Sequence, residues 1–67
     1  MSITYEFATE RADEAALQAE TALLDNVRDR ALRSEAAWRS MADQARKTAE
    51  ARRIREAAAN SAEAQPA

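Results

Sequence analysis

The sequence predicts an all-α protein: a long amphipathic helix over about residues 9–59, assembled as an antiparallel coiled-coil oligomer. Three observations carry that expectation. Stepping alternately by three and four residues connects Leu17, Glu20, Leu24, Val27, Ala31, Ser34, Trp38, Met41, Ala45 and Thr48, an unbroken heptad frame. Leu23 and Ala42 widen its apolar stripe. The chain has no glycine, and its single proline is Pro66, so no strong breaker interrupts residues 9–59. Charge is also segregated: residues 1–29 carry seven acids and two bases, net −5, whereas residues 30–56 carry eight bases and four acids, net +4. Antiparallel packing brings these halves together, equally well within a hairpin or between two long helices, so the charge pattern predicts the packing and not the route.

Composition says why such a helix needs a partner. Nineteen of the 67 residues are alanine, and the large aliphatics and phenylalanine number only eight. Eight of 67 is about 12%, below the roughly 20% at which a lone chain begins to look disordered. Formal net charge is only −2, however, so the charge half of the disorder signature is missing. Alanine, glutamate and arginine are strong helix formers. A helical chain that completes its core by association satisfies all three facts.

The first segment, residues 1–8, reads as an N-terminal arm. Ile3, Tyr5 and Phe7 alternate with Thr4 and Glu6, the period of a half-buried strand. A single strand cannot stand alone, so the arm is expected to fold across the protein's own helices, with contact to a partner as the second reading. Thr9 serves as the predicted helix N-cap, and Glu10, Asp13 and Glu14 suit the positive end of the dipole. Asp29–Arg33, Glu35–Arg39 and Asp43–Lys47 are ion pairs of favourable polarity at four-residue spacing. Arg52, Arg53 and Arg55 stand near the C-terminal end, Asn60 is a candidate cap, and residues 60–67 form a frayed tail.

The competing architecture is a helical hairpin, with helices at 9–32 and 35–59, dimerising into a four-helix bundle. Ser34 would then cap the second helix, and Asn26 is a weaker breaking point. The continuous helix is preferred because the heptad phase persists past Ser34 and the turn would lack both glycine and proline. In either architecture Ala12, Ala16, Ala19, Ala42, Ala45 and Ala49 let helix backbones approach closely.

Residue types argue against catalysis. Histidine and cysteine are absent, which removes the usual general base, thiol nucleophile and zinc ligands. Glu10 and Glu14 share a face, but an acidic pair near a helix start is ordinary solvated surface. Glu20 in the seam either fixes register or leaves a narrow seam for water, and the second is preferred. No catalytic, cofactor-binding or metal-binding residue is assigned, and no enzyme activity is expected.

The expected function is a protein–protein interaction module acting through self-association, with a structural, adaptor or regulatory role. Its seam comprises Leu17, Leu23, Leu24, Val27, Ala31, Trp38, Met41, Ala42 and Ala45, and Trp38 is expected to be buried between helices. Ile3, Tyr5 and Phe7 are the candidate contact for another protein. The rival is an accessory protein for nucleic acid or another anionic surface, using the basic segment 39–55. There Arg39, Arg46 and Arg53 recur every seven residues, about 10 Å apart along a helix. Interspersed Asp43, Glu50 and Glu56 and the acidic overall balance disfavour it. No apolar run is long enough to span a membrane, and the N-terminus lacks a secretory pattern, so a cytoplasmic protein without membrane contact is expected.

Overall fold

The computed structural model describes residues 3–64, with side chains described over 3–61. Two helices make up the fold, α1 over Tyr5–Thr21 and α2 over Asp25–Ala64. They pack against each other as an elongated hairpin measuring 66 × 19 × 13 Å.

Helix α1 begins inside the segment 1–8 that reads as a strand-like arm, at Tyr5. Thr4 is extended (φ −83°, ψ 160°), and its Oγ1 accepts a hydrogen bond from the Phe7 backbone N–H at 3.1 Å. Its own carbonyl accepts from Ala8 N–H at 3.0 Å, closing the first helical turn. Thr4 therefore caps the helix, not Thr9, which lies inside it. A satisfied N-cap outweighs the β preference of three large side chains, because propensity is the weaker signal. Tyr5 and Phe7 consequently stand about 200° apart around a helix, on either side of the line through Ala8.

The continuous helix predicted over 9–59 is interrupted at residues 22–24, so the chain takes the hairpin form with different boundaries. Ala22 leaves the helix in an extended conformation (φ −68°, ψ 132°), a region open to any residue. No described residue has positive φ, so the turn needs no glycine. Thr21 Oγ1 donates to the Leu17 carbonyl at 3.0 Å, a threonine back-bond one turn toward the N-terminus that adds to the ladder of the last helical turn. Helix α2 resumes with Arg28 N–H donating to the Leu24 carbonyl at 3.0 Å. Ser34 is an interior residue of α2 and caps nothing. The real break lies nearer Asn26.

Among the described residues alanine alone forms the buried core: Ala8, Ala12, Ala15 and Ala19 from α1, with Ala31 and Ala42 from α2. Steps of four, three and four keep the α1 alanines on one stripe. Methyl groups on facing stripes let the two backbones come close. Predicted segment 60–67 is helical through Ala64, and residues 65–67 lie outside the described residues.

The turn position fixes a distance. Phe7 touches Trp38, which puts residue 10 beside residues 35–36, while Ala58 lies far along α2. Spin labels at Glu10 and Ala58 of one chain, diluted with unlabelled protein, are expected roughly 35 Å apart at about 1.5 Å per residue. A distance near 70 Å would mean one unbroken helix, and one near 10–15 Å a turn at Ser34.

Candidate interaction surface

The α2 side of the hairpin seam runs through Ala31, Ser34, Glu35, Trp38, Ala42 and Ala45, all buried or half-buried. Ala31, Trp38, Ala42 and Ala45 from the predicted seam are therefore brought together, and what covers them is the chain's own α1. Trp38 is half-buried and meets Phe7 edge to face, ring centroids 5.7 Å apart and planes at 79°. That geometry lays the positive ring edge on the negative face of its neighbour. Arg11 completes the cluster, its guanidinium carbon 5.2 Å from the Phe7 ring centre.

The remaining predicted seam residues stay in water. Leu23 in the turn is 99% exposed, Leu24 63% and Leu17 60%. Val27 and Met41 are exposed beside the seam, as are Ile3, Tyr5, Phe7, Leu32 and Ile54 elsewhere. Leu17 turns outward because α1 uses the line Ala8–Ala12–Ala15–Ala19, so the frame through Leu17 and Glu20 does not continue into the α2 seam. Ala8 and Ala15 are missing from the sequence-derived seam, although their spacing with Ala12 and Ala19 is a readable signal. Ala49, placed among the packing alanines, is exposed.

Where α1 begins against α2, the two helices leave an open groove of about 570 Å³ lined by Ile3, Tyr5, Met41, Ala45, Ala49 and Arg52 among others. Tyr5 also borders a smaller hollow with Thr9, Arg39, Ala42, Asp43 and Arg46.

The predicted anion stripe is already engaged with acids. Arg39 binds Glu35 at 2.9 Å and Asp13 of α1 at 3.3 Å; Arg46 binds Asp43 at 3.0 Å; Arg53 binds Glu50. Glu35 and then Asp13 hold the Arg39 guanidinium above its ordinary pKa through hydrogen bonds. Arg46 and Lys47 pull the Asp43 carboxyl below its ordinary value, and Arg53 does the same to Glu50. These are exposed pairs, which supply little stability but neutralise most of the stripe's charge. Among the described residues, Glu35–Arg39 and Asp43–Lys47 form as expected from their spacing, whereas Asp29–Arg33 does not. Arg39–Asp13 is the one ion pair between the helices among those residues.

No group of three or more acidic side chains comes together to hold a metal ion among the described residues. No helix there is long and apolar enough to cross a membrane. No protein-family model, curated protein or solved structure matches the chain.

Proposed function

We propose that this chain is a small, non-enzymatic protein–protein interaction module of the cytoplasm whose first partner is itself. One contrast supports the reading. Among the described residues the buried core contains only alanine and no large side chain is fully buried, while the leucines, isoleucines, valine and phenylalanine remain substantially exposed. A two-helix hairpin of this size has too little core to be stable alone, and association is one of the few devices that remedy this without disulfides or metal. The seam residues left in water (Leu17, Leu23, Leu24, Val27 and Met41) supply the apolar surface for it, and exposed Ile3 and Tyr5 extend that surface toward a further protein partner. An anionic partner bound through Arg39, Arg46 and Arg53 is the weaker reading, because each of the three already holds a carboxylate.

Sedimentation equilibrium across a wide concentration range tests the proposal. The expected result is a mass at least twice that of the chain, with helicity rising as the protein associates. A chain that stays monomeric and fully helical at every concentration would remove self-association from its function.

A further inference from the structure

Burial along α2 stops at Ala45, and every side chain from Arg46 to Ser61 is exposed. Because Tyr5 at the start of α1 lies beside Ala42 and Arg46, the rest of α2 projects beyond its partner helix. The projection from Arg46 to Ala64 is 19 residues long, or about 28 Å. Helix α1 has 17 residues, or about 26 Å. The uncovered length is that of one more α1.

Charge divides at the same place. Helix α1 carries five acids and one arginine, net −4. The part of α2 that it covers, residues 25–45, has four acids and four arginines and is neutral. The projecting stretch 46–64 has five bases and three acids, net +2. The hairpin thus lays its acidic helix on a neutral surface, and its basic segment meets α1 only at the groove that Glu6 and Arg52 both border, the rest projecting beyond it. Among the described residues, Glu6 and Glu10 of α1 and Arg52 and Arg55 of the projection have no opposite charge within ion-pair distance.

Resting on the self-association reading, we infer that the projection of α2 is the docking site for the acidic α1 of a second copy, in a two-fold dimer with its α2 helices antiparallel. The midpoint of α2 falls at residues 44–45. Pairing two α2 helices about that midpoint sets each α1 alongside the other copy's α2 from about residue 48 to its end, so every turn of α2 gains a neighbour. Glu6 and Glu10 of one copy come level with the stretch 49–53 of the other, where Arg52 stands free. The groove at the start of α1 lies on the dimer axis, where Ile3 and Met41 of both copies converge. Apolar contact at the centre and opposite charges along the arms make one self-complementary surface, as a two-fold interface requires.

Two complementary variants test this arrangement. Glu6→Arg with Glu10→Arg makes α1 basic, and Arg52→Glu with Arg55→Glu makes the projection acidic. Each variant alone is expected to dimerise about tenfold or more weakly than the parent, because like charges replace opposite ones at both symmetry-related sites. Mixed together they are expected to form a heterodimer of parental affinity, which also shows that neither has lost its fold. A second readout uses the absence of native cysteine. Mixed Glu10→Cys and Arg52→Cys chains are expected to form the mixed disulfide in preference to either homodisulfide. Within one chain these positions lie about 25 Å apart along α2, so the bridge reports only contact between copies.

Parental affinity in each reversed variant alone, or disulfides in random proportions, would overturn the arrangement while leaving self-association standing. A parent chain that is monomeric throughout would overturn both. Loss of duplex nucleic-acid binding in Arg52→Glu/Arg55→Glu, with unchanged dimer mass, would also overturn it and assign the projection to an anionic partner.

Discussion

Replacing Ala12 with leucine is expected to force the two helices apart. Ala12 is fully buried, one turn from equally buried Ala8, on the face where α1 lies against α2. Three added carbons have no space there, and overpacking a close contact costs about 1–3 kcal/mol. For a hairpin whose buried core is six methyl groups, that rivals the whole stability of the packed state. The melting temperature should fall sharply, and the distance between labels at Glu10 and Ala58 should lengthen and broaden. Ala36→Leu, on the exposed side of α2, provides the control and should leave both unchanged. If Ala12→Leu melts at or above the parent temperature, the seam is loose enough to welcome a larger side chain, and close alanine packing is not what joins the helices.

The second large effect is expected at Trp38. A fully buried aromatic truncated to alanine costs about 3–5 kcal/mol, and a half-buried one correspondingly less, roughly 2–3 kcal/mol. Trp38→Ala should therefore lower both the melting temperature and the helicity, whereas Trp38→Phe should retain much of the edge-to-face contact. Phe7→Ala tests the pairing directly. If the ring contact matters, the double variant should lose less than the two single losses combined, with a coupling of about 0.5–1.5 kcal/mol. Strict additivity would reduce the contact to mere proximity. Sedimentation of Trp38→Ala carries a separate message: unchanged mass with reduced melting temperature would confine Trp38 to the hairpin's own packing.

Helicity, and the residues of the α2 seam, were legible because they depend on local chemistry. Ala31, Trp38, Ala42 and Ala45 share a phase that any packed helix must honour, and the absence of glycine and proline removes the cheapest breakers. The turn was hidden for a related reason. Extended backbone at Ala22 asks nothing special of its residue, so Ala22, Leu23 and Leu24 carry no mark of it. Without a visible turn the heptad frame runs backward onto Leu17, and of the alanine line one face away only Ala12 and Ala19 stand out, not Ala8 and Ala15. Thr4 is concealed for the opposite reason: Ile3, Tyr5 and Phe7 give a clear β pattern, and one hydrogen bond from Phe7 N–H to the Thr4 hydroxyl overrides it. Which surfaces meet between copies is a matter of long-range charge and shape, and there the local pattern offers only the segregation of acids from bases.

The uneven lengths of α1 and α2 bear on how the longer helix comes to exist. An isolated helix must first close a turn, and that step is unfavourable by a factor on the order of a thousand, whereas each further residue adds at roughly even odds or slightly better. In this chain the covered half of α2 closes its turns against α1, and the stretch from Arg46 onward only has to propagate. Its alanines and arginines are suited to that, and the Asp43–Lys47 and Glu50–Arg53 pairs tie successive turns together. The hairpin therefore acts as a seed crystal does, setting the direction and register of a rod that its own short length could not have started. Cutting the contact at Ala12 would unravel residues that Ala12 never touches.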